Sequence, residues 1–104
     1  MRRGDVWWAE LAAPAGPRPV VIVSRSEACV VRSAVTVAPV TSRIRELPVE
    51  VPLGADDGLP KACVVNCDSL ATVPKARLSR RIAVLHPAKI VDLNRALKFA
   101  LGLS

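Results

Sequence analysis

The chain changes its hydrophobic period once, near its end. Up to about residue 73 the apolar residues come in short alternating or continuous runs broken by Pro and Gly. After residue 86 they recur every three or four positions. Gly4-Asp5 leads into Val6-Trp7-Trp8-Ala9-Glu10-Leu11, where a period of two sets Trp7, Ala9 and Leu11 on one face and predicts a first strand. Residues 12–19, AAPAGPRP, offer few side chains that can pack and predict a loop. Val20–Ser24 and Val35–Val40 are nearly continuous apolar runs, the pattern of strands covered on both faces. LPVEVPL, residues 47–53, alternates enough for a fourth strand, and its prolines favour an edge. GADDG predicts a turn, Ala62–Asn66 a fifth strand and Leu70–Val73 a short sixth, after which Pro74 opens a polar stretch, KARLSRR.

At the end, Ile90, Leu93, Leu97 and Leu101 share one helical face with Ala100 beside them. Pro87 suits the first turn of that helix, Asp92 lies toward its positive end and Lys98 near its negative end, and Gly102 can stop it. His86, just before it, reads as a local cap or surface residue. The expected fold is mainly β: one domain, a small β-barrel of short strands with a C-terminal α-helix packed against it.

Charge narrows the partner. Fifteen Lys and Arg against nine Asp and Glu leave a net charge of +6 on 104 residues, a balance that attracts polyanions and makes nucleic acid the leading partner class. No apolar run approaches the roughly 20 residues of a membrane span, and MRRGDVWWAEL lacks the apolar core of a signal peptide, so a cytoplasmic protein is expected, with no membrane partner. Cys29, Cys63 and Cys67 are odd in number and lack zinc-ligand spacing, and a single histidine cannot complete a second ligand pair. Neither a disulfide framework nor a metal site is expected, and the cysteines read as inert core thiols.

Three segments could carry chemistry. Arg18 stands between Pro17 and Pro19, after Gly16, and a guanidinium held in a stiff frame can grip two phosphate oxygens at small entropic cost. The alternative is a loop arginine paired with Glu10 or Asp5. In APVTSR, residues 38–43, a strand ends in Thr41-Ser42-Arg43, whose hydroxyls and charge suit a phosphate or ribose but also suit an ordinary turn. In VVNCDSL, Asn66 and Asp68 share a face if the strand continues and can read base edges, while Cys67 points the other way.

Taken in order, RRGDVWWAEL, RPVVIVS, VTVAPVTS and ACVVNCDSLATVPKARL, followed by a short helix, resemble the MazF/PemK family of toxins from bacterial toxin–antitoxin pairs over about Arg3 to Leu103. The resemblance implies an SH3-like barrel, a homodimer, and an endoribonuclease that cuts single-stranded RNA at short sequences without metal or other cofactor. It further implies that Arg18 and Thr41 are the catalytic pair, with Gly16, Pro17, Ser42, Arg43, Asn66 and Asp68 as RNA contacts. It also implies a cognate antitoxin whose acidic segment competes with RNA. Two departures stand out: the first loop, LAAPAGPRP, is short for the family, and Leu70-Ala71-Thr72 stands where a basic residue is frequent. The gyrase-directed relatives of this fold end in Trp-Gly-Ile, whereas this chain ends Leu101-Gly102-Leu103-Ser104. A module that only binds nucleic acid is the other alternative, and it lacks aromatic material, since Trp7, Trp8 and Phe99 are all the chain has.

Overall fold

A computed structural model of the chain describes residues 1–104. Seven strands appear in the order β1 (Asp5–Glu10), β2 (Pro17–Ile22), β3 (Ala34–Thr41), β4 (Glu50–Leu53), β5 (Cys63–Asn66), β6 (Ala71–Pro74) and β7 (Leu78–Val84). A one-and-a-half-turn helix α1 (Ser26–Val31) joins β2 to β3, and α2 (Pro87–Leu101) closes the chain. All strand pairs are antiparallel, in the spatial order β4-β5-β3-β2-β1-β7, with β6 also on β3. The result is a small, bent barrel of the SH3-like kind, mainly β with a C-terminal helix.

The bend is made at β3, which changes partners along its length. Its first half pairs with β6, from Ala34↔Pro74 to Val37↔Ala71, and with β2, from Ile22↔Val37 to Val20↔Pro39. On the edge that carries β6, its last two residues pair with β5, as Val40↔Val65 and Thr41↔Val64, while β2 is lost on the opposite edge. Proline chemistry accounts for that loss. The Val23 N–H donates to the Thr36 carbonyl at 3.0 Å, so alternation turns the N–H positions of residues 21, 19 and 17 toward β3. Residues 19 and 17 are prolines and have no N–H to give. The β2–β3 ladder therefore stops at Val20↔Pro39, and the end of β3 stays in the sheet through β5 alone.

Period-two alternation on the central strands feeds two cores. Val6, Val21, Ala38, Val51 and Val65 face the larger one, which α2 seals with Leu93 and Ala96. Ala9, Val20, Ile22, Val35, Val37 and Leu78 face the smaller. Trp7 and Leu11 pack beside Ala9, as the first-strand pattern requires. The helix begins with Pro87 in its first turn and ends at Gly102, whose φ of 69° is a left-handed cap that glycine adopts without strain. His86 occupies the N-cap position and is exposed, and its side chain makes no capping bond.

Several expected elements shift. Arg18 is not in a loop: β2 starts at Pro17, and only residues 11–16 connect it to β1. KARLSRR is not simply polar chain but a 3-10 turn, Lys75–Arg77, followed by the edge strand β7, whose exposed Ser79, Arg80 and Arg81 hide its strand character. Bulges between Val6 and Trp7 and between Trp8 and Ala9 shift its register on β1, and the charges blunt an edge that could otherwise template aggregation. The fourth strand is shorter than expected, since residues 42–48 form an exposed connection. Helix α1 has no clear signal in SEACVV, where two β-branched valines offset two good helix formers, Glu27 and Ala28. GADDG folds into a 3-10 turn that buries Asp57, which accepts the Gly54 N–H at 3.0 Å and lies 4.0 Å from Lys89 of α2. No helix is long and apolar enough to cross a membrane.

Leu93 is wholly buried between α2 and the sheet. Leu93→Ala should cost about 2–5 kcal/mol of unfolding free energy, read as a fall in the urea midpoint.

Candidate active site

The parting of β2 and β3 leaves Arg18 and Thr41 across from each other with no ladder between them. Extending the Val20↔Pro39 register by two residues puts position 18 opposite position 41, on the same sheet face. Both side chains are half-buried and both line two neighbouring clefts, so they form the ridge that divides them. The first cleft, of about 270 Å³, adds Arg43, Arg45, Glu50, Asn66 and Ser69. The second, of about 250 Å³, adds Ser42, Leu59, Pro60 and Lys61.

Arg18 is held from behind. Its Nε and Nη2 donate to the Ala15 carbonyl, at 2.9 and 2.5 Å, which fixes the plane of the guanidinium and leaves its remaining N–H groups free. The pairing with Glu10 or Asp5 does not form. Glu10 accepts the Trp8 indole N–H at 3.1 Å, and buried Asp5 accepts the Arg2 backbone N–H at 2.9 Å. The two ion pairs of the chain, Lys89–Asp57 and Arg95–Asp92, lie elsewhere. The charge of Arg18 thus faces the clefts without a carboxylate partner.

Thr41 is oriented by the turn it begins. Its Oγ1 accepts the Arg43 backbone N–H at 3.2 Å, which occupies a lone pair and leaves the hydroxyl proton to be donated outward. The turn reading of TSR is therefore observed, and the turn bond still leaves the Thr41 hydroxyl able to donate. Asn66 closes the far wall: its Oδ1 accepts the Asp68 N–H at 2.9 Å and its Nδ2 donates to Ser69 Oγ at 3.3 Å.

Of the residues expected at a site, Arg18, Thr41, Ser42, Arg43 and Asn66 come together around the two clefts. Asp68 does not join them. The strand ends at Asn66, so Asp68 sits exposed in the following turn, and Ser69 lines the cleft instead. Gly16 and Pro17 stand beside the ridge without lining either cleft, while Ala15 and Pro19 do line one. Gly16, at φ 69°, supplies the left-handed turn that brings the Ala15 carbonyl back under Arg18. Sequence reasoning missed Arg45, Glu50 and Lys61. They belong to the connection after β3, to the edge strand β4 and to the loop before β5, and only folding brings them to Arg18.

Neither tryptophan is a free stacking platform. Trp7 is packed into the smaller core, and Trp8 is half-buried, with Arg80 5.8 Å from its ring centre. The cysteines are all buried and unpaired. Burial pushes the Cys67 thiol up to about 11, helped by the charge of Asp68, and burial also raises Cys29 and Cys63. At neutral pH all three are therefore protonated and poor nucleophiles. No cluster of His, Cys, Asp and Glu side chains is arranged to hold a metal ion.

The class of protein that this geometry defines is a small basic barrel whose one polar ridge presents an unpaired arginine and an oriented hydroxyl to a polyanion. Comparison with known proteins makes it specific. Residues 2–101 match the family of PemK-like, MazF-like toxins of type II toxin–antitoxin systems. The chain is 37% identical over 103 residues to the probable endoribonuclease MazF2 of Mycobacterium tuberculosis, covering 98% of this chain and 99% of that one. It is 39% identical over 103 residues to probable endoribonuclease MazF5 of the same organism, covering 98% and 94%. Among solved structures, the Mycobacterium tuberculosis toxin MazF-mt6 superposes with a TM-score of 0.89 at 35% identity, over 96% of this chain and 98% of that one. A mycobacterial endoribonuclease in complex with its cognate antitoxin also gives 0.89, at 31% identity, over 100% and 97%. The chain belongs to the PemK/MazF toxin family.

The raised thiol values predict that iodoacetamide at pH 7.5 leaves Cys29, Cys63 and Cys67 unmodified in the folded protein and alkylates all three in urea, as read by mass spectrometry. The sign for stability follows. The folded state holds the thiol protons more tightly than the unfolded chain, so this contribution is complete below pH 9 and is lost as pH rises toward 11.

Proposed function

We propose that this toxin is a metal-independent endoribonuclease that cuts single-stranded RNA at the Arg18–Thr41 ridge. The observation that carries the reading is the pairing of a guanidinium free of any carboxylate with a hydroxyl oriented to donate, on the ridge shared by two clefts. An RNA strand laid across the ridge presents a phosphate to both groups and places the flanking nucleotides in the clefts.

The reaction requires no protein nucleophile. The ribose 2′-oxygen attacks the adjacent phosphorus, its proton leaves to solvent, and the bond to the 5′-oxygen breaks as that oxygen takes a proton from solvent, giving a 2′,3′-cyclic phosphate and a 5′-hydroxyl end. Attack builds negative charge on the non-bridging oxygens. Arg18 stabilises that charge through the N–H groups that Ala15 does not use, and Thr41 donates to the same phosphate. Their fixed positions also hold the phosphate in line for the 2′-oxygen. Arg18 acts as a donor and not as a base, because a guanidinium does not deprotonate near neutral pH.

In this reading the toxin works in the cytoplasm and is kept dormant by a cognate antitoxin. The relative solved with its antitoxin supports this partnership. An acidic, flexible antitoxin segment suits a surface of net charge +6, where it would compete with RNA for Arg18, Arg43 and Arg45. We further propose a homodimer. Val91, Phe99 and Leu101 of α2 and Val84 of β7 are each more than half exposed in the single chain, apolar surface that a two-fold partner can cover.

Two outcomes are expected. Purified protein with EDTA should cleave a mixed-sequence RNA to 5′-hydroxyl ends, and Arg18→Ala should slow cleavage by about a hundredfold or more, with Thr41→Ala also strongly impaired. Wild-type inactivity on every RNA, or full activity in Arg18→Ala, would defeat the reading. Sedimentation equilibrium should return the mass of two chains, and a single-chain mass would defeat the homodimer.

A further inference from the structure

Glu50 is the one acid in the first cleft, among Arg18, Arg43 and Arg45. A carboxylate beside a phosphate-binding arginine weakens the attraction for RNA, so its presence there needs a reason. Half of the reason is structural. Glu50 Oε1 accepts the backbone N–H groups of Arg45, at 3.0 Å, and Leu47, at 3.4 Å, pinning a turn around Glu46, whose φ is 57°. That turn carries Arg45 over the cleft. The other oxygen, Oε2, has no hydrogen-bond partner and belongs to neither ion pair of the chain.

Register says what Oε2 can reach. Glu50 pairs with Asn66 across β4 and β5, and β5 in turn pairs with β3, so Glu50 lies two strands from the strand of Thr41 and three from that of Arg18. With strands about 4.8 Å apart, its carboxylate is too far from the ridge to take the 2′-proton of a nucleotide held there. It is placed for the base of a neighbouring nucleotide. Asn66 already uses each end of its amide once in its own turn, whereas Oε2 has no partner at all.

We propose that Glu50 Oε2 is a specificity determinant that accepts a hydrogen bond from the exocyclic amine of one base flanking the cut, selecting an amine-bearing base (adenine, cytosine or guanine) over uracil at that position. A glutamate accepting from the amino group of cytosine is an established pairing chemistry. The inference rests on the ribonuclease reading above.

The decisive variant is Glu50→Gln. Its amide oxygen can keep both turn N–H bonds, and its amide nitrogen then takes the place of Oε2, so a donor replaces an acceptor with the same shape. Cleavage ends should be mapped on a randomised RNA for wild type, Glu50→Gln and Glu50→Ala, with melting curves to compare folding. Wild type should favour an amine-bearing base over uracil about tenfold at one flanking position. Glu50→Gln should move that preference toward uracil at the same position, and Glu50→Ala should flatten it. The readout is a ratio between bases at one position, which a general loss of rate does not move. Identical base ranking in wild type and Glu50→Gln would overturn this inference and leave the ribonuclease reading standing. A wild-type preference for uracil at the affected position would overturn it too, and a wild type that cuts no RNA would remove both.

Discussion

Two absent hydrogen-bond donors shape this molecule. Because Pro17 and Pro19 offer no N–H to β3, the β2–β3 ladder cannot continue past Val20↔Pro39. That opens the gap in which Arg18 and Thr41 face each other and from which the two clefts extend. On its opposite edge β3 passes from β6 to β5, which carries the sheet round into a barrel. Had either position been an ordinary residue, a longer ladder would have drawn the two strands together and closed that gap. The prolines stiffen the backbone under Arg18 as well, so in the proposed reaction the guanidinium that meets the transition-state charge is placed before substrate arrives.

The allocation of charge follows the same economy. Four of the nine acids are occupied away from the clefts: Asp5 by the Arg2 N–H, Glu10 by the Trp8 indole, Asp57 by Gly54 and Lys89, and Asp92 by Arg95. The arginines around the clefts keep their charge for a ligand. Neutral hydrogen-bonding groups hold them in place, the Ala15 carbonyl under Arg18 and Thr41 Oγ1 under the Arg43 N–H. A net charge of +6 thus becomes a local feature. Glu50, the exception in that cleft, fastens the turn that bears Arg45 and leaves one oxygen without a partner.

Family membership and this geometry reinforce each other through different evidence. Similarity spans nearly the whole chain and sets the expectation of an RNA-cutting toxin, whereas the ridge explains how so few side chains could suffice. The short first loop has a use here: it turns at Gly16 so that Ala15 can grip the guanidinium, a contact that a longer excursion would not guarantee.

Strands covered on both faces and the terminal helix could be read from the chain because burial leaves a local record, continuous apolar runs for β2, β3 and β5 and a three-to-four spacing for α2. Arg18 and Thr41 were legible as well, since proline frames and strand-end hydroxyls are local signals. Edge strand β7 was not, because its exposed face is charged and its bulges break the alternation. Asp68 was misplaced relative to the cleft because the period of two was carried past Asn66, where the chain turns. Glu50, Arg45 and Lys61 left no local trace, as nothing near them in the chain refers to β2 or to the end of β3. The sequence by itself determined which segments are strands and which arginine is rigid. Only tertiary structure decided which side chains share a cleft, because that depends on where β3 changes partners, a hydrogen-bonding choice made between strands far apart in the chain.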